Sequence, residues 1–195
     1  MEVYVARQPI VDVVGNIMGY EILYRNGMQN RFAGINGDEA TSNVIVNAFQ
    51  NFGIDKLTDQ LPAFINFTEK LIYEEIGTLF SKDILVIEIL ETVRPTPELL
   101  NRCRELKNKG YKIALDDFLF EEEYLGFLEV ADIIKVDFLN SNQYVREEAI
   151  KKFKHYNIDF LAEKIETEEE FKLAKELGYK YFQGYLFGKP QVLTT

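Results

Sequence analysis

Glu21, Asn66, Glu88, Asp116, Asp117, Lys135, Glu163 and Gln183 stand where the surrounding apolar pattern predicts no polar side chain. Asn66 follows Phe64-Ile65, Glu88 follows Leu85-Val86-Ile87, and Asp116-Asp117 follow Ile113-Ala114-Leu115. Lys135 follows Ile133-Ile134, Glu163 follows Leu161-Ala162, and Gln183 follows Tyr181-Phe182. Glu21 sits after Met18-Gly19-Tyr20, inside an apolar run. One such residue is as easily a solvated strand end as a site. A set of them aimed at one face is different, because gathered carboxylates repel one another and require a counter-charge. Glu21, Glu88, Asp116 and Asp117, with Asn66 as a neutral oxygen donor, suit a hard divalent ion such as Mg²⁺ or Mn²⁺. The adjacent Asp116-Asp117 pair suits two ions close together, an arrangement that lowers the pKa of a bridging water and serves phosphoester hydrolysis. Lys135 is the one basic residue of the set. It orients that water or neutralises a phosphate oxygen; the plainer reading makes it an ion-pair partner of Asp116 or Glu163.

These residues need elements that bring them together. Short β-branched runs alternate with longer helical patterns. Strands are predicted at Val3–Arg7, Ile17–Tyr24, Ala63–Phe67, Ile84–Leu90, Tyr111–Leu115, Asp132–Val136, Ile158–Ala162 and Tyr179–Phe182, with a turn over Asp12–Asn16. Helices are predicted at Asp38–Phe52, Thr96–Lys109, Gln143–His155 and Thr167–Leu177. Thr96 and Pro97 suit a helix start, Gly110 a stop, and Thr167-x-x-Glu170 a capping box ended by Gly178. Repeated strand–helix units imply a parallel sheet with helices outside. About eight strands predict an α/β fold, a short TIM-like (β/α)8 barrel whose first strand is antiparallel because a tight turn joins it to the second. An open doubly wound sheet is the alternative. In a parallel barrel the C-terminal strand ends meet at one mouth, where active sites are built.

Composition narrows the function classes. The 195 residues fit one domain, two at most, and 22 Lys and Arg against 32 Asp and Glu leave a net charge of −10. That balance argues against gripping duplex nucleic acid through its phosphates, although bound cations can invert the local charge for an anionic ligand. Apolar residues at 47% and aromatics at 13% supply a core. A single cysteine, Cys103, excludes a disulfide framework and a Cys-rich zinc site. No apolar run reaches membrane-span length and no signal peptide is evident, so the expectation is a cytoplasmic chain with no membrane partner. Walker and dinucleotide glycine loops are missing.

The motifs, taken in order, resemble the EAL family of cyclic-di-GMP phosphodiesterases. Gln8-Pro9-Ile10-Val11 resembles its Q-P-I-V opening, and Tyr20-Glu21-Ile22-Leu23-Tyr24-Arg25 the motif that names the family, with Ile22 for alanine. Ile65-Asn66-Phe67-Thr68, Glu88-Ile89-Leu90-Glu91, Leu115-Asp116-Asp117-Phe118 and Ile134-Lys135-Val136-Asp137 resemble V-N-L-S, E-I-T-E, L-D-D-F and I-K-I-D. Ala162-Glu163-Lys164-Ile165-Glu166-Thr167 resembles A-E-G-V-E-T, and Gln183-Gly184-Tyr185-Leu186-Phe187-Gly188-Lys189-Pro190 the closing Q-G-Y-L-F-x-x-P. The resemblance implies hydrolysis of one phosphodiester of cyclic-di-GMP with two Mg²⁺ or Mn²⁺ ions. Carried over, Glu21, Asn66, Glu88 and Asp116 would hold one ion, and Asp116 with Asp117 the second. Lys135, Glu163 and Glu21 would be the catalytic set, Lys135 at the nucleophilic water and Glu163 as ligand or general base. Gln8, Arg25 and Gln183 would contact substrate, and Glu91 and Glu166 would be supporting acids. The compact first half looks most like the subgroup in which this domain precedes an HDOD domain. Residues 1–195 are then one EAL-type barrel, excised from a longer EAL–HDOD chain, with an HDOD domain and a homodimer as the candidate assemblies.

The resemblance breaks after Asp117-Phe118. The family continues G-T-G-Y-S-S-L, whereas this chain reads Leu119-Phe120-Glu121-Glu122-Glu123-Tyr124. Lost glycines remove backbone freedom, and three glutamates add charge near an anionic ligand. Leu90 replaces a threonine, and the segment between Arg25 and Asn66 is short for the family. A receptor or adaptor that binds the nucleotide without cutting it, acting through a partner domain, is therefore the competing expectation. Glu121–Glu123 otherwise read as a solvated charge run, and Phe118, Phe120, Tyr124 and Phe127 as core rather than a base-stacking platform. His155 reads as structural and Cys103 as no nucleophile.

Overall fold

The computed structural model describes residues 4–25, 53–118 and 120–193. The helix expected at Asp38–Phe52, the side chain of Arg25 and Leu119 lie outside the described residues. Strands β1 (Tyr4–Val11) and β2 (Ile17–Arg25) form an antiparallel hairpin. Its turn is held by Asp12, whose Oδ1 accepts from the backbone N–H of Val14 and of Asn16, each at 2.9 Å. From β2 onward the strands run parallel: β3 (Ala63–Phe67), β4 (Leu85–Ile89), β5 (Lys112–Leu115), β6 (Ile133–Asp137), β7 (Asp159–Glu163) and β8 (Tyr181–Phe182). β1 closes the ring, pairing antiparallel with β8 at Val11–Phe182. The result is the expected eight-strand barrel with one reversed strand. The open-sheet alternative fails because β1 has partners on both edges.

A short strand that the sequence pattern does not reveal, β9 (Gln191–Leu193), pairs with Val5–Arg7 farther along the same edge of β1. Five helices lie among the described residues: α1 (Ile54–Leu57), α2 (Glu69–Tyr73), α3 (Pro97–Asn108), α4 (Gln143–Phe153) and α5 (Glu168–Leu177). α1 and α2 are four and five residues long, too short for a helical period to show in the sequence. α3 begins at the expected cap, where Leu99 N–H donates to Thr96 Oγ1 at 3.2 Å. α5 has the full Thr167–Glu170 capping box and ends on Gly178 at φ 100°. The run Glu122–Glu129 is a 3₁₀ helix whose first acidic residues are exposed, as a solvated charge run should be. No described helix is long and apolar enough to cross a membrane.

The core has two layers. The larger lies between strands and helices and includes Leu99, Cys103 and Leu106 on the inner face of α3, the two leucines each worth about 1.5–3 kcal/mol when fully buried. Phe118, Tyr124 and Phe127 belong to it, as the core reading expected, while Phe120 is half-buried against it and also lines a cleft. Burial of Cys103 pushes its thiol up to about 12, which leaves it unreactive. The smaller layer fills the barrel itself: Ile10, Phe64, Val86, Ala114, Ile133 and Leu161, with Tyr181 packed against them. β2 contributes no side chain to this floor. Its residue there is Gly19, opposite Ile10, where a Cβ would lie 2.8 Å from Pro62 O and 3.0 Å from the Phe64 ring. The Phe64 ring occupies the space that a side chain at position 19 would need.

Gly184 solves a second close approach. A Cβ there would lie 2.0 Å from the Ile165 carbonyl oxygen and 2.3 Å from its nitrogen. The loops after β7 and β8 are stitched at this point, with Ile165 N–H donating to Gln183 O at 3.0 Å and Leu186 N–H to Ile165 O at 3.1 Å. Gly184→Ala must push these backbones apart, and it is expected to lower the unfolding free energy by about 3 kcal/mol, the upper end for overpacking. Urea denaturation of the two proteins checks this; an unchanged midpoint contradicts it.

Candidate active site

Successive strand side chains alternate between faces, so residues two apart share a face. Two residues beyond the apolar floor therefore lies a second interior layer: Asn66 after Phe64, Glu88 after Val86, Asp116 after Ala114, Lys135 after Ile133, Glu163 after Leu161 and Gln183 after Tyr181. On the reversed strand the same layer is reached two residues earlier, at Gln8 before Ile10. Glu21 is paired directly with Gln8 and completes the ring. Register enforces this, with Asn66 opposite Glu88 on β3–β4. Asp116 lies just past β5, fixed by its N–H donating to Ile89 O at 2.9 Å.

Lys135 is the centre of the ring. Its side chain is 0% exposed, and Nζ lies 2.7 Å from Asp116 Oδ1, 2.9 Å from Glu88 Oε1, 2.9 Å from Glu163 Oε1 and 3.8 Å from Glu21 Oε2. Burial disfavours the ammonium, but Asp116, Glu163, Glu21 and Glu88 together hold it charged, well above the usual lysine range. Both readings of Lys135 are thus compatible with one place: it is a buried ion-pair partner and it faces the mouth.

One cation does not balance this many acids. Burial pushes the Glu163 carboxyl up to about 8, with Asp116 and Glu21 adding to the effect against the pull of Lys135. Burial likewise raises Glu88 well above the ordinary carboxylate range. Asp117 is raised by burial and by Asp116, opposed by Lys164. Gln183 spans the gap between β8 and the hairpin. Its Nε2 donates to Gln8 Oε1 at 3.1 Å and to Glu21 Oε2, while Gln8 Nε2 donates to Gly188 O at 3.1 Å.

Acceptor oxygens are in excess. Both Glu88 carboxylate oxygens, Asn66 Oδ1 and Asp117 Oδ1 are buried with no hydrogen-bond partner, although Glu88 Oε1 is close to Lys135. Buried oxygens of this kind usually have a partner. No group of three His, Cys, Asp or Glu side chains among the described residues is arranged as it stands to hold an ion, because the acids converge on the ammonium instead. The donor chemistry, all oxygen and mostly anionic, still fits a hard divalent cation. Beside the ring, an open cleft of about 510 Å³ runs past Asp117, Phe120, Glu121, Lys135, Asp137 and Asn140.

The other candidates fall elsewhere. Glu91 and Glu166 are exposed, in the loop after β4 and before α5, outside the ring. Arg25 ends β2, and only its backbone is described. Sequence reasoning did not single out Lys164, whose ammonium pairs with Asp137 and lies 3.9 Å from Asp117 Oδ2. A backbone φ of 57° at a non-glycine residue marks it in the structure, and no sequence pattern shows that. His155 packs its ring against Tyr156 at 4.3 Å, away from the ring of acids.

In metal-free solution the Glu163 shift has a signed consequence. Between the unfolded carboxylate range near 4.5 and about 8, the folded chain binds a proton that the unfolded chain has released. Stability therefore falls as pH rises across that window. Urea unfolding with chelator present is expected to show a lower free energy at pH 8 than at pH 5. Glu163→Gln should flatten the difference; an equal slope in the variant would assign it to another group.

Comparison with known proteins follows the same outline. The family model described as EAL domain matches residues 38–190. The chain is 41% identical to the uncharacterized protein YuxH of Bacillus subtilis over 199 residues, covering 100% of this chain and 49% of that protein. It is 36% identical to the cyclic di-GMP phosphodiesterase CdgJ of Vibrio cholerae over 196 residues, covering 97% of this chain and 45% of that one. The chain thus spans about half the length of these relatives. Among solved structures, a manganese and cyclic-di-GMP complex of Klebsiella pneumoniae BlrP1 has a TM-score of 0.78 at 24% identity, covering 98% of this chain and 57% of that one. An EAL domain protein of Listeria monocytogenes has a TM-score of 0.69 at 22% identity, covering 97% and 88%. At such identities the likeness is one of fold. The family match, which extends over more than half of the chain, places the chain in the EAL domain family.

Proposed function

We propose that this member of the EAL domain family is a divalent-metal-dependent phosphodiesterase that opens cyclic-di-GMP to the linear dinucleotide. The observation that carries the reading is the ring of buried acids around Lys135 at the mouth of the barrel, with acceptor oxygens left over on Glu88, Asn66 and Asp117. Relatives named as cyclic di-GMP phosphodiesterases, CdgJ among them, supply the substrate class.

In this reading Glu21, Asn66, Glu88 and Asp116 hold one Mg²⁺ or Mn²⁺ ion, and Asp116 with Asp117 a second. When bound, such ions acidify water and neutralise phosphate oxygens. The chain's own groups do the rest. Lys135 Nζ, released from Glu88 and Asp116 when those carboxylates hold the ion, would donate the hydrogen bonds that orient the attacking water and offset charge on the phosphate. Glu163 Oε1, 2.9 Å from that ammonium, accepts the water proton as the oxygen attacks phosphorus. The P–O3′ bond breaks and the leaving oxygen takes a proton from solvent. The Gln183 amide holds Glu21 and Gln8 in place across the hairpin. Apolar residues beneath the ring keep water from entering through the floor.

A specific observation favours binding without turnover as the second reading. The segment after Asp117 is an aromatic stack rather than a glycine loop: Phe118 meets Phe120 edge-on at 5.1 Å, and Phe120 stacks on Phe153 at 5.3 Å. Exposed Glu121 stands at the rim of the cleft, where it repels an anionic ligand. The two readings separate in one experiment, chromatography of cyclic-di-GMP incubated with the chain and Mn²⁺. The expected outcome is linear dinucleotide that disappears with chelator. In Glu21→Ala, turnover should fall by roughly 10²-fold or more, the scale of losing a key electrostatic group. Turnover unchanged by that substitution sinks the site assignment, and saturable binding with no product moves the function to a receptor.

A further inference from the structure

Lys164 follows Glu163 at the end of β7, in the left-handed backbone region at φ 57°. A residue with a side chain adopts that conformation at a cost of about 1–2 kcal/mol, and glycine, which the quoted family motif has at this position, avoids it. The compensation here is electrostatic. Its ammonium pairs with Asp137 Oδ2. Asp137 is itself anchored, with Oδ1 accepting from Leu139 N–H at 2.7 Å and Asn140 N–H at 2.9 Å, and Oδ2 from Asn140 Nδ2 at 2.6 Å. The cation is thus tethered at a fixed place on the rim.

That place faces Asp117. Lys164 Nζ lies 3.9 Å from Asp117 Oδ2. Asp117 also has a strained backbone at φ 40° and a buried Oδ1 with no hydrogen-bond partner. Lys135, 0% exposed, is committed to Glu88, Asp116 and Glu163. Lys164 is therefore the cation within 4.0 Å of Asp117 among the described residues.

We infer that Lys164 is a built-in competitor for the second divalent ion: it serves as the counter-charge of Asp117 when that ion is absent and weakens the ion's binding by its own positive charge. The inference rests on the metal reading above. It moves occupancy of the Asp117 site to higher metal concentration than occupancy of the Glu21–Asn66–Glu88 site. Lys164 is a positioning residue in this role and contacts no reacting atom.

Calorimetric titration of the metal-free chain with Mn²⁺ tests this without any turnover. Wild type is expected to bind two ions in separate steps. Lys164→Met removes the charge and keeps the backbone strain; Lys164→Gly removes both; Lys164→Arg keeps both. The weaker step should tighten by roughly tenfold in the Met and Gly variants, the scale of removing one unit charge from near a dication in a wet site, and stay at the wild-type value in the Arg variant. The tighter step should not move. Equal affinity in wild type and Lys164→Met overturns the proposal while leaving the metal reading standing. Tightening in Gly alone assigns the effect to backbone strain and overturns it, and tightening in Arg assigns it to side-chain packing and overturns it. Failure of every variant and of wild type to bind Mn²⁺ overturns this proposal and the metal reading together.

Discussion

An ammonium with no exposed surface sits within 2.9 Å of three carboxylates at the mouth of the barrel. Separately, these groups are among the most expensive to take out of water, at several kcal/mol per ion. Together they constrain everything around them. Removing the lysine would leave several buried acids unbalanced, and breaking a buried pair of this kind costs about 3–5 kcal/mol. The strands that carry the charges, β4, β6 and β7, must hold register to within a fraction of a residue step. A slip of one residue would turn every polar side chain of the ring into the helix-facing layer.

The apolar floor makes that register hold. Ile10, Phe64, Val86, Ala114, Ile133 and Leu161 fill the barrel two residues below the polar ring. Each strand therefore has an apolar residue that must point inward and a polar residue that is carried inward with it. Stability and site geometry share one period. The reversed strand obeys the same rule from the opposite direction, because Ile10 reaches the floor and Gln8 the ring. Gly19 completes the floor by having no side chain, and Glu21, two residues on, reaches the mouth beside Gln8.

Charge at the mouth is only partly balanced within the chain. Burial raises Glu163 and Glu88, and orphaned acceptor oxygens remain on Glu88, Asn66 and Asp117. Such a site is poised to take up positive charge, whether as protons or as divalent ions, and its stability and its ligand affinity are linked through that uptake. The aromatic residues after Asp117 pack into the outer core, with Phe120 stacked on Phe153 of helix α4.

The period-2 alternation, the strand-end acids and the helix caps were legible in the sequence because each depends on neighbours a few residues away. Phe64-Ile65-Asn66 and Leu161-Ala162-Glu163 announce both a strand and its polar end. Thr96-Pro97 and Thr167-x-x-Glu170 announce helix starts by local hydrogen bonding. The reversed first strand followed from the tight Asp12–Asn16 turn. Other features had no local signal. The three-residue strand β9 exists through pairing with β1 and has too few residues for a period. Glu91 and Glu166 carry the right chemistry in the sequence but lie outside the ring, since neither belongs to an inward-facing strand position. Lys164 looked like an ordinary charged residue until its left-handed backbone and the Asp137 anchor aimed it at Asp117. The sequence by itself thus determined which residues carry charge and which strand face they occupy. Only the closed barrel decided which of them meet, because contact between residues 175 positions apart, as in Gln8 and Gln183, is set by ring closure and register.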